Sequence, residues 1–221
     1  MKNIKAVLFD YDGTLMDTNN IIIESWQHTF RTVKGVEKPE AELYCTFGEI
    51  LHDTMERFFP DEDVEKCVDI YRSYQVDCYE KLIELFPGMQ ETVRQLKKRG
   101  VKTAIVTSRL LRTTMQGVDK YGLADCFDTI VTCDDTEKHK PDPDPALLAI
   151  RRLGIQPEEA LMVGDTVYDI VCGNRAGAKT ALVSWSAACG EARALCGEEK
   201  PDFIIDRAEE LLELAGDNCC E

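Results

Sequence analysis

The 221-residue chain has no apolar run approaching the ~20 residues that a membrane-spanning helix needs. Its opening, "MKNIKAVLFD", carries basic residues, but the apolar stretch is only Ala6 to Phe9, too short for a signal peptide. A cytoplasmic protein with no membrane partner is the expectation. Positive charge is also scarce: 26 Lys and Arg face 41 Asp and Glu, a net charge of −15. So acidic a surface repels phosphate backbones and argues against nucleic-acid binding. It also means that a phosphorylated substrate would need positive charge concentrated in one place. Internal repeats and low-complexity segments are missing too. The ten cysteines form neither a C-x-x-C pair nor a zinc pattern. Without a secretion signal they are expected to be reduced, small apolar residues. Cys219-Cys220, in the acidic tail "GDNCCE", is expected to belong to a disordered terminus.

What is present fits a soluble globular protein, 44% hydrophobic and 30% charged, long enough for one sizeable domain or a core with an insert. Six strand-length apolar runs recur: "KAVLFD", "VKTAIVTS", "FDTIVTC", "EALMVGD", "AKTALVSW" and "PDFIID". Nearly continuous apolar runs mark strands buried on both faces, as in parallel sheets covered by helices. Helical patterns lie between them, at Met89–Arg99, Leu110–Tyr121, Pro145–Leu153 and Val167–Ala176, each followed by a glycine. Strand alternating with helix predicts an α/β fold, a doubly wound, Rossmann-like parallel sheet.

Thr18 to Leu85 break that rhythm and are almost all helical in pattern. Ile22, Trp26, Phe30 and Val33 make one amphipathic face; Val64, Val68, Tyr71, Cys78 and Leu82 make a second. "LFPGM" then returns the chain to the α/β rhythm. The expected organisation is a catalytic core from residues 1–16 and 86–221, interrupted by an all-helical cap domain at 17–85.

Four places after strands carry unusual chemistry. The first strand ends in Asp10-Tyr11-Asp12-Gly13-Thr14, and the second in Thr107-Ser108. Lys140 follows the third, in "KHKPDPDP", and the fourth ends in Gly164-Asp165 with Asp169 four residues on. In an open α/β sheet these C-terminal ends face a common crevice. Carboxylates gathered this closely repel unless a cation sits among them. All-oxygen ligation suits Mg²⁺, which favours one or two carboxylates, waters and a substrate phosphate. The metal and Lys140 would make the mouth attractive to a phosphoryl group inside an acidic protein. Thr107 and Ser108 can donate hydrogen bonds to phosphoryl oxygens. Of Asp10 and Asp12, one would attack phosphorus and the other would move the proton of the leaving oxygen.

"DYDGT", "VTS", "KPDP" and "GDTVYD" resemble, in order and across the whole chain, the four motifs of the haloacid dehalogenase-like phosphohydrolases. The resemblance implies that Asp10 is the nucleophile and forms an aspartyl-phosphate, and that Asp12 is the general acid/base. Thr107 would bind the phosphate and Lys140 would neutralise it. Mg²⁺ would be held by Asp10, Asp165 and the Asp12 backbone carbonyl, with Asp169 orienting the metal shell. The helical insert is similar to the mobile cap of the phosphoglycolate phosphatase subgroup. "DTNNIIIESWQHTF", "LHDTM", "EALMVGDTVYDIV" and "KTALVSW" further resemble the subgroup's bacterial inorganic pyrophosphatase branch. That implies a small, highly charged substrate, pyrophosphate ahead of phosphoglycolate, with His52, Arg109 and Lys140 among its contacts. His52 and Asp53 read by themselves as an exposed helix; only the resemblance makes them substrate contacts. Tyr11 stands where the family has an aliphatic residue and is expected to point away from the site with little effect.

Other functions remain to be separated. A phospho-receiver module also uses a strand-end Asp, Mg²⁺ and a lysine, but needs neither a helical cap nor Asp12. A dehalogenase attacks carbon and needs no metal. A sugar-phosphate phosphomutase keeps all four motifs and differs mainly in cap contacts. A non-catalytic binding protein would be expected to have lost a charged motif residue, and none is missing.

Overall fold

Val7, Leu8 and Phe9 have no exposed surface, although alternate side chains of a strand point to opposite faces. A strand with both faces buried has to lie inside a sheet that is covered on both sides. In the computed structural model, which describes residues 4–47, 49–186 and 196–216, it does. Ala6–Phe9 (β1) is central in a six-stranded parallel sheet. The other strands are Lys102–Val106 (β2), Thr129–Val131 (β3), Ala160–Gly164 (β4), Lys179–Val183 (β5) and Phe203–Ile205 (β6). Their spatial order is β3-β2-β1-β4-β5-β6. Phe9 pairs with Ile105 of β2 and with Val163 of β4, which sets the three strand ends level.

The sheet is doubly wound. On one face, Ala6, Leu8, Val106 and Met162 pack with Ala146, Ala149, Ile150 and Leu153 of helix Asp144–Leu153 and with Cys172 and Ala176 of helix Val167–Ala176. Helix Met89–Lys98 packs on β2 and on the final helix, Glu210–Ala215. Among the described residues, the remaining α-helix of this unit is Leu111–Lys120. The glycines expected to stop helices do so: Gly100, Gly122, Gly154 and Gly177 all have positive φ. The third strand is shorter than its apolar run, because Thr132 and Cys133 already belong to a turn in which Asp135 accepts from the Thr132 N–H at 2.9 Å.

The chain divides into two units. One runs through Asp17 and resumes at Leu85; the other is Thr18–Glu84. The second consists of helices Asn19–Lys34 (α1), Glu40–Leu43 (α2), Leu51–Phe58 (α3) and Val64–Leu82 (α4). Trp26 of α1 is its hub, with ring centroids of Phe58 and Tyr71 at 5.4 and 5.0 Å. The buried face of α1 differs from the expected one. Ile22 and Val33 are only half-buried, whereas Ile21, Ser25 and Thr29 are buried with Trp26 and Phe30. The two hydroxyls bond back to the helix, Ser25 to the Ile21 carbonyl at 2.6 Å and Thr29 to the Ser25 carbonyl at 2.8 Å. A hydroxyl satisfied on its own helix can face the core, which an apolar count overlooks.

None of the described cysteines forms a disulfide. The Cys219-Cys220 pair lies outside the described residues. No described helix is long and apolar enough to cross a membrane. Trp26→Ala is expected to cost about 3–5 kcal/mol, as for other large-to-small core changes. Urea unfolding measures it; a loss below about 1 kcal/mol would contradict the role of Trp26 as hub of the helical unit.

Candidate active site

The sheet order reverses at β1: the chain winds outward through β2 and β3, then returns to the other side at β4. Loops on either side of such a switch point diverge and leave a crevice at the strand ends. Asp10 follows β1 and Asp165 follows β4, one on each flank of that point. The Asp10 N–H donates to the Val163 carbonyl at 2.8 Å, and the Thr107 N–H to the Val131 carbonyl at 3.0 Å, so the sheet ladder positions both residues.

Three carboxylates converge there. Oxygens of Asp10, Asp165 and Asp169 lie within 4.8 Å of one another, and all three residues are buried. Lys140 sits among them, its Nζ 2.6 Å from Asp10 Oδ1 and 2.6 Å from Asp169 Oδ1. Asp169 is also fixed from behind. Its Oδ2 accepts from the Thr166 backbone N–H at 3.2 Å and from Thr166 Oγ1 at 2.7 Å, in the capping box that opens helix Val167–Ala176. Asp165 is engaged on one side only. Ser186 Oγ donates to its Oδ2 at 2.5 Å, while its buried Oδ1 has no hydrogen-bond partner. A buried carboxylate oxygen left unpaired is costly in water-free surroundings, and a cation at the cluster would satisfy it. The donor set is all oxygen, which fits a hard divalent metal.

The electrostatics agree. Burial, and then the neighbouring Asp169, push Asp10 well above the usual carboxylate range, against the pull of Lys140. Burial and Asp169 likewise push Asp165 up to about 7, with the Ser186 hydrogen bond opposing them. Burial works against charge on Lys140, but Asp10 and Asp169 outweigh it and hold the ammonium above its ordinary pKa. One lysine thus leaves the three-carboxylate cluster short of positive charge.

Gly13 makes the turn between the two acids. Its φ is +75°, and a Cβ there would lie 2.1 Å from Asp165 Oδ2. Trp185, next to Ser186, donates its indole N–H to the Thr14 carbonyl at 3.3 Å and ties the loop after β5 to this turn. Asp12 points elsewhere: Arg109 Nη2 lies 3.0 Å from its Oδ1. The Arg109 guanidinium rests 5.7 Å above the Tyr11 ring. Tyr11 is fully buried, and its ring lies beneath the Arg109 guanidinium, a contact that the sequence did not show. Thr107 Oγ1 accepts the Arg109 N–H at 3.1 Å, which leaves its own O–H to donate. Ser108 beside it is half-buried.

The core unit therefore brings Asp10, Lys140, Asp165 and Asp169 into one cluster and links Asp12, Arg109 and Thr107 to one another, while Ser108 is placed only as the neighbour of Thr107 in the chain. His52 belongs to the helical unit, on α3, with Nε2 3.0 Å from Glu65 Oε1 and Nδ1 3.6 Å from Glu56 Oε1. Sequence reasoning missed Ser186 and Thr166. The available signal was positional: "VSWS" follows a strand of the same sheet, so its last residue falls at the crevice like the others.

A parallel α/β sheet with an aspartate cluster at its switch point is compatible with more than one class of protein, and the family comparison decides among them. Residues 7–183 match the haloacid dehalogenase-like hydrolase family, and the chain belongs to it. Pyrophosphatase PpaX of Bacillus cereus is 41% identical over 214 residues, 97% of each chain. Among solved structures, a predicted phosphoglycolate phosphatase from Haemophilus somnus superposes with a TM-score of 0.86 at 21% identity, over 98% of this chain and 100% of that one. A β-phosphoglucomutase from Clostridium difficile superposes at 0.79 and 18%, over 95% and 93%. At such identities these two show the fold alone.

A ligating carboxyl must be deprotonated, so a divalent metal competes with the proton that Asp165 holds below about pH 7. Metal affinity is therefore expected to be full above that pH and to weaken as pH falls through it, by up to about tenfold per unit. Titration calorimetry from pH 5.5 to 8.5 reads this directly; a flat affinity would exclude Asp165 as a ligand.

Proposed function

We propose that this hydrolase is a Mg²⁺-dependent phosphohydrolase that works through an aspartyl-phosphate on Asp10. The observation that carries the reading is the buried cluster of Asp10, Asp165 and Asp169 with Lys140 between two of them. The full-length likeness to a pyrophosphatase points to pyrophosphate as the preferred substrate, ahead of phosphoglycolate.

Asp10 and Asp165, with the Asp12 carbonyl, would hold Mg²⁺, and Asp169 would orient its shell. Bound there, the ion offsets carboxylate repulsion and draws charge from a phosphoryl oxygen. Lys140 and the Thr107 and Ser108 hydroxyls bind the other phosphoryl oxygens. An Asp10 oxygen attacks phosphorus, the bond to the leaving oxygen breaks, and that oxygen takes the proton of Asp12. Water then attacks the aspartyl-phosphate and gives its proton to Asp12. The bond from phosphorus to Asp10 breaks, and phosphate leaves. The Thr18–Glu84 unit corresponds to the family's cap, to which substrate selection is assigned, and His52 is the candidate contact residue that it carries.

Asp10→Asn is expected to abolish phosphate release. Asp12→Asn should fold normally and lose ~10²–10⁴-fold in turnover, the usual share of general acid/base catalysis. Phosphate-release assays with circular dichroism check both; a loss under about tenfold for Asp12→Asn would assign the proton to another group. A substrate panel tests specificity. A hexose phosphate or nucleotide that beats pyrophosphate and phosphoglycolate tenfold in kcat/KM, about 1.4 kcal/mol, overturns the small-anion reading.

A further inference from the structure

Asp12 is held in a way that its proposed role does not require. Arg109 Nε lies 3.3 and 3.2 Å from the two oxygens of Asp12, and Nη2 lies 3.0 Å from Oδ1. Held on both oxygens, the Asp12 carboxyl is fixed in place by the guanidinium and has to be released before it can swing toward a leaving oxygen. The guanidinium is the better-fixed partner. Its side chain is 6% exposed, against 28% for Asp12. It lies on the buried ring of Tyr11, and its backbone is pinned at both ends: the N–H donates to Thr107 Oγ1, and the carbonyl accepts from the Cys133 N–H at 3.2 Å. Moving Asp12 away takes a carboxylate from a mostly buried cation, a loss that another anion on the guanidinium would offset.

The location of Arg109 says where that anion must be. Asp12 has to meet the leaving oxygen, and Arg109 is within hydrogen-bond distance of Asp12. Whatever the leaving oxygen is attached to therefore comes up against Arg109. We infer that Arg109 selects substrates with a second negative charge on the leaving side, because only such a group exchanges with Asp12 on the guanidinium and frees Asp12 to protonate the leaving oxygen. The second phosphoryl group of pyrophosphate qualifies, and so does the carboxylate of phosphoglycolate. A neutral leaving group has nothing to exchange, and Asp12 stays clamped. The inference rests on the proposed role of Asp12 and deepens it: the substrate class is a phosphoryl compound with an anionic leaving group.

Phosphoglycolate and 2-hydroxyethyl phosphate test this, since they share a two-carbon leaving group and differ in its charge. With Mg²⁺, the wild-type protein is expected to prefer phosphoglycolate by at least about 100-fold in kcat/KM, as sites built around a polar partner do. Arg109→Gln should shrink that ratio tenfold or more, while Arg109→Lys, which keeps the charge, should retain most of it. A ratio taken within one variant cancels any loss of folded protein. The inference is overturned if the wild-type ratio is under tenfold, or if Arg109→Gln shrinks it by less than tenfold. Equal losses on both substrates, which leave the ratio unchanged, would place Arg109 on the transferred phosphoryl group instead. A wild-type protein inactive on both compounds and on pyrophosphate fails differently: it removes the phosphohydrolase reading itself.

Discussion

Three buried carboxylates within 4.8 Å of each other constitute a repulsion that the rest of the core has to contain. Lys140 is the first restraint, bonded at 2.6 Å to both Asp10 and Asp169. The N-terminus of helix Val167–Ala176 is the second. Thr166 donates twice to Asp169 there, and helix N-termini favour negative charge. Ser186 is the third, on Asp165. Each removes part of the imbalance and none removes it all, as the elevated Asp10 and Asp165 show. That remainder makes the cluster a place for a divalent metal rather than a self-contained ion-pair network.

The sheet makes this concentration of charge structurally tolerable. β1 lies between β2 and β4 with both faces covered, so its C-terminus cannot shift without breaking two ladders. The carboxylate repulsion at Asp10 is thus opposed by the ladders on both sides of β1. The same arrangement restricts the turn that follows. Gly13 passes so close to Asp165 that no side chain fits, and Trp185 clamps the turn from the loop after β5. A second charged pair, Asp12 with Arg109, stands beside the first, and the Tyr11 ring separates the guanidinium from the core beneath it.

Much of this could be read along the chain. The six strands were visible as continuous apolar runs, because residues buried on both faces have to be apolar at every position. The helices ended at their glycines, because positive φ is a local requirement. The face of α1 was read less well, since Ser25 and Thr29 do not count as apolar, yet turn inward once their hydroxyls bond to the helix carbonyls. Thr166 and Ser186 were missed because a hydroxyl in a loop has no signature of its own. Its role appears only from the carboxylate that it meets.

The amino-acid sequence by itself determined the α/β class, the helical interruption and the identity of the acids at the strand ends. These follow from local periodicity, from turn chemistry and from motifs with fixed spacing. It also contained enough of the family's order to relate the whole chain to haloacid dehalogenase-like hydrolases. Only the tertiary structure decided which charges face each other. Asp12 and Arg109 are 97 positions apart, and Asp10 and Lys140 are 130 apart. Such pairings depend on strand order and on the level of the strand ends, and no local pattern encodes either. The physical reason is range: backbone conformation is set by near neighbours, whereas the state of a buried charge is set by whatever the fold brings within a few ångströms of it.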